Sequence, residues 1–223
     1  MKVNTNIGQI RKSFGYSQDE VASKLGISRQ TYIKIEKGEV AIDVCQLEKL
    51  ANFFGIQVEQ FYYERENLDK FKQMLIYIVN KFGVKGLPKT KLAELLYLSD
   101  FYHFYYNLES MSNMQYRCMD YGPLADSFLD LVDNMFENGE LRIEPLSDGA
   151  QMVSLTKSTD TNNFNLLSKS EITEIDEICK AWKDAPTKEI VAFTHKQKPW
   201  MSCRPNEVIP YELILQEDPS HVY

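Results

Sequence analysis

The sequence lacks the segments that would place it in a membrane or a secretory pathway. Its longest apolar run, Met74 to Val79, is far shorter than the ~18 residues that a membrane span needs. The chain starts MKVNTN, which contains no apolar signal core. We therefore expect a cytoplasmic protein that has no membrane partner.

Cysteine and histidine are scarce, and their spacing excludes the common metal and redox sites. No two of the four cysteines form a C-x-x-C pair, and none of His103, His195 and His221 lies four residues from another histidine or from a cysteine. Phosphate-loop, hydrolase and dinucleotide motifs are absent as well. The sequence therefore predicts no metal, no cofactor and no catalytic residues, and we do not expect an enzyme.

The 223 residues include 43% hydrophobic and 12% aromatic residues, which is enough for one large core or two small ones. The net charge of −7 is unevenly distributed, because residues 1–38 carry +4 and residues 65–223 carry −7. The stretch 64–70 is charged and poor in apolar residues, so it is either a linker or the solvated end of a helix. We place a domain boundary there, between residues 1–65 and 66–223.

Two short helices joined by a tight turn are predicted near the N-terminus. Ser17 with Glu20 three residues later is a capping-box pattern, and Gly26 supplies the left-handed residue that ends the helix. Ser28 caps a second helix, Arg29 to Lys37, in which Ile33 is expected to be buried with help from Tyr32 and Ile35. This arrangement is a helix-turn-helix.

The outward side chains of the second helix suit the reading of DNA bases. Arginine pairs with guanine and glutamine with adenine in the major groove, whereas helix starts bind phosphate. The alternative is a solvated polar face. The candidate base-contacting residues are Arg29, Gln30, Thr31 and Lys34, and the candidate phosphate-contacting residues are Gln18 and Ser28.

The run SQDEVASKLGISRQTYIKIEKG, followed by LEKLANFFGI, resembles an Xre or lambda-repressor-type DNA-binding domain over residues 4 to 63. The resemblance implies a small five-helix domain that binds operator DNA. One such domain buries little surface, so we expect it to bind as a dimer. The resemblance also implies that the second helix of the motif reads bases and that Gln18 holds the DNA backbone.

The remainder of the chain is predicted to be mainly helical, with a small β-hairpin at the turn 147–149. Asp120 is a candidate cap for the helix after Pro123, and the tail, with four prolines, is expected to be mostly extended or turned. The predicted helices are Leu68 to Phe82, Pro88 to Tyr106, Gly122-Pro123 to Asn138, Ile172 to Trp182, and a shorter one opened by Pro186.

The segment from Tyr97 to Tyr106 is the most unusual in the chain, since six of its ten residues are aromatic. It is either a central core helix or a helix that also faces a partner. Within it, Asp100 is placed to bond a tyrosine hydroxyl, and His103 is expected to be a hydrogen-bonded interior residue. His195, further along, either orders the loop that follows it or touches a partner.

Three phrases, LLYLSDFYHFY, YRCMDYGPL and FTHKQKPW, together resemble the Panacea domain of type II antitoxins over residues 71 to 215. One departure is Leu124, where valine is expected. The resemblance implies a protein that neutralises a cognate toxin and represses their shared promoter. We expect a homodimer or a higher assembly with the toxin, and toxin contacts at Tyr102, Tyr105, Tyr106, His195 and Trp200.

Two other functions remain open at this point. The protein could be a phage or mobile-element repressor whose C-terminal domain dimerises or senses a signal. It could also be an enzyme fused to a DNA-binding domain, although no catalytic constellation is visible. A toxic product of the adjacent reading frame would favour the antitoxin.

Overall fold

The structure, a computed structural model, describes residues 7–8, 10–12, 14–56, 58–61, 65–147 and 149–223. The chain divides into two units, Met1–Leu68 and Asp69–Tyr223. Both are mainly helical and the second also contains strands, which confirms the predicted fold class. None of the helices in the described ranges is long and apolar enough to cross a membrane.

The first unit contains the predicted helix-turn-helix. Ser17 and Glu20 form both hydrogen bonds of a capping box, and Ser28 Oγ accepts the Thr31 amide at 3.1 Å. Gly26 has a φ of 71°, as the left-handed end of a helix requires. Residues 7–8 and 10–12 are also helical, and the later elements are α1 (Gln18–Leu25), α2 (Arg29–Glu36), α3 (Val44–Phe54) and a 3-10 turn (Val58–Phe61).

The core of the first unit differs from the prediction at one position. Tyr32 and Ile35 are fully buried, whereas Ile33 is only half-buried. Tyr32 and Ile35 are three residues apart and share the inner face of α2, and Ile33 lies about 100° around the helix from Tyr32. The expectation that Ile33 is the principal buried residue is therefore wrong.

The second unit is built from helices and two small antiparallel sheets. The elements of the second unit are α4 (Arg65–Lys81), whose residues up to Leu68 belong to the first unit, β1 (Leu87–Pro88), α5 (Lys89–Asn107), β2 (Tyr116–Met119), β3 (Gly122–Ala125), α6 (Phe128–Glu137), β4 (Leu141–Pro145), β5 (Gln151–Leu155), α7 (Lys169–Trp182), α8 (Thr187–Thr194), α9 (Lys198–Met201) and 3-10 turns at Tyr211–Gln216 and Pro219–His221. One sheet has the strand order β1-β5-β4, and the other pairs β2 with β3.

Several predicted elements are confirmed. α4 corresponds to the predicted helix Leu68 to Phe82, but it begins earlier, at Arg65, and ends at Lys81. The charged stretch is therefore helical from Arg65 to Lys70. Pro88 precedes α5, and Pro186 precedes α8. β4 and β5 form the predicted hairpin, with Ile143 opposite Val153. Asp148 in its turn lies outside the described residues.

The segment after Met119 corrects the prediction. Gly122-Pro123 does not open a helix but belongs to β3, where Pro123 lies opposite Cys118 in β2. α6 begins only at Phe128. Asp120 lies in the turn between the two strands and caps no helix, so that prediction is wrong.

Two further boundaries differ from the prediction. α7 begins at Lys169, three residues before the expected Ile172, because Ser168 and Glu171 form a capping box. The tail is also more helical than its proline content indicates. Pro199 lies in the first turn of α9, a position that helices tolerate because the missing amide has no acceptor there.

α5 is the central helix of the second unit, and every residue from Lys91 to Phe101 is buried. Three of these residues, Lys91, Glu94 and Asp100, have side chains that are charged at neutral pH in water. Lys91 Nζ donates to the carbonyls of Lys183 at 3.1 Å and Ala185 at 2.7 Å, just beyond the end of α7. The Asp100 carboxylate accepts the Ser112 amide at 2.7 Å and the Tyr116 hydroxyl at 2.8 Å. The predicted bond between Asp100 and a tyrosine is therefore confirmed.

Glu94 is the third of these groups, and it explains why residue 122 is glycine. Its side chain is 1% exposed, and burial raises the pKa of this carboxyl well above its ordinary value. Gly122 has a φ of 126°, and a Cβ there would overlap the Glu94 carboxyl group. The buried helix and the β2–β3 hairpin can approach this closely only without a side chain at residue 122.

We predict that Gly122→Ala destabilises the second unit far more than Gly139→Ala. Gly139 also has a positive φ, of 73°, but a Cβ there meets nothing within 4 Å. The strained φ alone should cost Gly139→Ala about 1–2 kcal/mol. The overlap with Glu94 should cost Gly122→Ala roughly 1–3 kcal/mol more. Chemical denaturation measures both values, and equal losses would show that the close approach is not a constraint.

Candidate functional site

The predicted DNA-contacting residues lie around the start of α2. Gln18 is the first residue of α1, Ser28 is the N-cap of α2, and Arg29 is its first residue. Arg29, Gln30 and Lys34 are exposed, and Gln18 is half-buried. The structure therefore leaves three of the four predicted base-contacting side chains open to a ligand.

Thr31 and Ser28 are engaged with each other. Thr31 is half-buried, and its hydroxyl lies 2.8 Å from Ser28 Oγ. Ser28 Oγ also accepts the Thr31 amide, so the two hydroxyls stabilise the start of α2. The Ser28 hydroxyl has one hydrogen to donate. It can donate this hydrogen to a phosphate oxygen only when Thr31 is the donor between the two hydroxyls.

A chain of hydrogen bonds that runs from Arg11 to Arg29 fixes the candidate site. Glu36, the last residue of α2, accepts from Arg11 Nε at 2.6 Å and from Gln18 Nε2 at 2.9 Å. Gln18 Oε1 in turn accepts from Arg29 Nη2 at 3.2 Å. Arg29 also forms an exposed ion pair with Asp19 at 3.4 Å. Gln18 thus connects a half-buried ion pair to an exposed arginine.

The ion pair between Arg11 and Glu36 is well shielded, with side-chain exposures of 10% and 11%. Burial acts to raise the pKa of Glu36, but hydrogen bonds from Arg11 and Gln18 outweigh it, and the net pKa is lowered. Burial also raises the pKa of the neighbouring Tyr32 phenol. Sequence patterns did not indicate Arg11 or Glu36, because the two are 25 residues apart and no local rule relates them.

The aromatic segment of α5 has two parts with different surroundings. Tyr97 and Phe101 are fully buried, with ring centroids 4.2 Å apart, and Phe101 stacks on Tyr211 at 4.4 Å. Tyr102 and Tyr105 are half-buried, and Tyr106 is 56% exposed. The first part of the aromatic segment is therefore buried in the core, and the last turn of α5 carries tyrosines that are partly exposed.

The predicted toxin-contacting tyrosines form one surface group. The Tyr106 ring lies 4.9 Å from Tyr102 and 5.0 Å from Tyr105, and Tyr223 meets Tyr102 edge-on at 4.7 Å. Burial, the neighbouring Tyr223 and the charge of Glu177 raise the pKa of Tyr102 to about 12. The Tyr102 phenol is therefore a neutral hydrogen-bond donor and acceptor at physiological pH.

His195 and Trp200 form a second group. Their rings are stacked with centroids 4.1 Å apart and an interplanar angle of 2°. Burial lowers the pKa of His195, so this imidazole is neutral near pH 7. Trp200 lies on the short helix α9, in a part of the chain that was expected to be mostly extended or turned. The Trp200 ring therefore also packs within the second unit, because it covers His195.

The tail of the chain connects the two groups. The Tyr105 hydroxyl lies 3.5 Å from the Glu217 carbonyl, and the Glu217 carboxylate accepts the Lys198 amide at the start of α9. Gln197 donates to the carbonyls of His221 at 2.8 Å and Val222 at 2.9 Å. Residues 217–223 therefore contact Tyr102 and Tyr105 of the first group, and they bond Gln197 and Lys198, which lie between the two residues of the second group in the chain.

His103 is hydrogen-bonded, as predicted, but it is half-buried rather than interior. Its Nδ1 lies 2.7 Å from the Glu174 carboxylate on α7. Within the described ranges, no group of three or more His, Cys, Asp or Glu side chains is arranged to hold a metal ion.

Comparison with known proteins identifies both parts of the chain. Residues 7–61 match the helix-turn-helix family model, and residues 92–201 match the model described as antitoxin SocA-like, Panacea domain. No solved structure gives a significant match.

Curated relatives match the first unit. An uncharacterised HTH-type transcriptional regulator of Methanocaldococcus jannaschii is 47% identical over 49 residues, 22% of this chain and 74% of that protein. The Bacillus subtilis regulator YgzD is 32% identical over 66 residues, 29% of this chain and all of that protein. The cryptic phage CTXphi transcriptional repressor RstR of Vibrio cholerae is 31% identical over 68 residues, 30% of this chain and 61% of that protein.

The chain therefore belongs to the helix-turn-helix family of transcriptional regulators and carries an antitoxin SocA-like Panacea domain behind its DNA-binding domain. Both resemblances seen in the sequence are confirmed. The matched Panacea region, 92–201, is shorter at both ends than the 71 to 215 estimated from the three phrases.

We predict that Arg11→Met destabilises the first unit by about 3 kcal/mol, because Glu36 then keeps its charge without its main partner. The wild-type pKa of Glu36 is lowered on folding, so the pair stabilises the fold above pH ~4.3 and this contribution is lost as the pH falls. The difference from wild type should therefore shrink in acid.

Lys12→Met is the matched control, because Lys12 is the exposed neighbour of Arg11 and loses the same charge. Thermal melts of both variants between pH 3 and pH 8 check the prediction. A melting point for Arg11→Met equal to that of Lys12→Met at pH 7 would contradict it.

Proposed function

We propose that the protein is the antitoxin of a type II toxin–antitoxin pair. Residues 66–223 bind and neutralise the cognate toxin, and residues 1–65 bind operator DNA and repress the shared promoter. The observation that carries this proposal is the joining of a complete helix-turn-helix to a SocA-like Panacea domain in one chain. The families concerned are regulators and antitoxin-like proteins, and we propose that the protein is not an enzyme.

The shape and charge of the first unit support operator binding. Residues 1–38 carry a net charge of +4, and the exposed Arg29, Gln30 and Lys34 lie on one short helix. One such helix contacts few base pairs, so we propose a homodimer on a palindrome whose half-sites are ~10 bp apart or a multiple of that. Gln18 and Ser28 act at the phosphates, and Thr31 supports the start of α2.

The surface of the second unit supports toxin binding. Three tyrosines that include the 56% exposed Tyr106 lie beside the tail, and the tail also bonds Gln197 and Lys198, which lie between the stacked His195 and Trp200 in the chain. Tyrosine and tryptophan are enriched among the residues that carry most of the binding energy at protein interfaces. The net charge of −7 over residues 65–223 suits a basic toxin and would raise its association rate.

Co-expression with the adjacent gene tests the proposal as a whole. The product of that gene should arrest growth alone and be harmless beside the full chain, with which it should co-purify. If no adjacent product is toxic and the operator is still bound, the protein is the alternative, a phage or mobile-element repressor. The likeness to the RstR repressor concerns the helix-turn-helix part and is compatible with both functions.

We predict that Arg29→Ala weakens operator binding by ~1–3 kcal/mol and relaxes one base preference, because a bidentate contact to a base is lost. The double variant Arg29→Ala/Gln30→Ala should lose sequence preference further. Gel-shift titration with the operator and a scrambled duplex measures both effects. Arg142→Ala is the control, since it removes an exposed arginine from the second unit. Unchanged binding by the double variant would refute the assignment of α2.

We predict that Tyr106→Ala melts as wild type but binds the toxin ~2 kcal/mol more weakly, because an exposed ring contributes to an interface rather than to the fold. Trp200→Ala should weaken binding too and also lower the melting point, since it uncovers His195. Tyr121→Ala, at an 82% exposed tyrosine between β2 and β3, is the control. Full neutralisation by a folded Tyr106→Ala variant would place the toxin surface elsewhere.

A further inference from the structure

Leu108, the residue that ends α5, has a backbone conformation that leucine rarely adopts. Its φ is 58° and its ψ is 21°, which places it in the left-handed region. A Cβ crowds the backbone in this region, so proteins place glycine there and, less often, asparagine. Every other residue with a positive φ in the described part of the chain is a glycine or an asparagine. Leu108 is therefore the exception among the described residues.

The Leu108 side chain gains little within the protein itself. It is 65% exposed, so burial does not offset the free-energy cost of the left-handed backbone. Exposed leucines are ordinary by themselves, and Leu129, Leu146 and Leu215 are 41–47% exposed, but none of these three has a positive φ. Leu108 is unfavourable in both its conformation and its exposure, and an asparagine would suit the fold better at this position.

Hydrogen bonds fix the backbone on both sides of Leu108. The Leu108 amide donates to the Phe104 carbonyl at 2.9 Å, which ties this residue to the last turn of α5. Beyond it, the fully buried Asp100 carboxylate accepts the Ser110 hydroxyl at 3.0 Å and the Ser112 amide at 2.7 Å. A strained residue persists when its surroundings determine its conformation in this way, and such residues cluster at functional sites.

We propose that Leu108 is an apolar anchor that inserts into a hydrophobic pocket of the toxin. This inference rests on the proposed antitoxin function, which supplies the partner, and it adds a contact residue to the proposed toxin surface. Leu108 directly follows the turn of α5 that carries Tyr105 and Tyr106, so it extends that surface. Because its backbone is already fixed, the leucine loses little further entropy on binding. The complex buries the side chain that the free protein leaves exposed.

The experiment measures the stability and the toxin binding of full-length variants at residue 108. Asparagine tolerates the left-handed region, so Leu108→Asn removes the apolar side chain and relieves the backbone. Leu108→Met keeps both the strain and an apolar side chain of similar volume. Leu129→Asn is the matched control, because it removes a similarly exposed leucine from α6. Thermal melts measure stability, and calorimetric titration with the toxic product of the adjacent gene measures binding.

Leu108→Asn should melt at or above the wild-type temperature, by up to about 4 °C, because the strain is relieved. The same variant should bind the toxin about tenfold to a hundredfold more weakly, as the loss of one buried leucine requires. Leu108→Met should bind within about threefold of the wild type, since its flexible side chain can fill the same pocket. Leu129→Asn should leave toxin binding unchanged.

Three results would overturn the inference. A melting temperature of Leu108→Asn clearly below that of the wild type would show that the leucine serves the fold, and this result needs no toxin. Wild-type toxin affinity of the folded Leu108→Asn variant would remove the contact. Sedimentation of the free chain tests a second copy as the occupant. If Leu108→Asn loses self-association and keeps its toxin affinity, another copy of the chain covers Leu108.

Growth rescue by the wild-type chain, measured in parallel, keeps this result apart from the proposed function. Equal rescue and equal toxin affinity of the wild type and of Leu108→Asn reject only the Leu108 contact. A wild-type chain that neutralises no adjacent product rejects the antitoxin function itself and, with it, this contact.

Discussion

The complete burial of the first part of α5 determines most of the second unit. A helix that is buried on all sides must have each of its polar groups neutralised or bonded by an element that packs on it. The Lys91 ammonium donates hydrogen bonds to carbonyls just beyond the end of α7. The Asp100 carboxylate accepts hydrogen bonds from Ser112 and Tyr116. Burial raises the pKa of the Glu94 carboxyl, and the close packing of this side chain needs a glycine at residue 122. The elements around α5 are therefore placed by its polar residues as well as by its apolar ones.

The same helix connects the core to the proposed toxin surface. Beyond Phe101 the surroundings become more open, and the tyrosines of the last turn lie beside the tail. The tail in turn holds the start of α9, which carries Trp200, through Glu217 and Gln197. A core helix of this kind offers aromatic side chains on a rigid support, which reduces the entropy lost on binding. The first unit follows a similar principle, because the Arg11–Glu36 pair supports Gln18 and, through it, Arg29.

Local sequence patterns were sufficient to predict helix ends and tight turns, because these depend on residues that are close together in the chain. Ser17 with Glu20, Ser28 and Gly26 predicted the two helices of the motif, because caps and left-handed glycines act within a few residues. The hairpin at residues 147–149 followed from its turn residues. Strand β3 was missed because Gly122-Pro123 also suits a helix start, and the packing of Glu94 against Gly122 joins residues that no local pattern relates. The ion pair of Arg11 with Glu36 and the contact of Tyr223 with Tyr102 join distant residues, so neither was predictable from spacing.

The most direct test of the account is a calorimetric titration of the full chain with the toxic product of the adjacent gene, performed with and without a saturating operator duplex. The account predicts a saturable complex with the toxin and separate saturable binding of the operator by the same chain. Operator binding without a complex with any product of an adjacent gene would contradict it, and would leave a helix-turn-helix repressor whose Panacea domain serves another purpose.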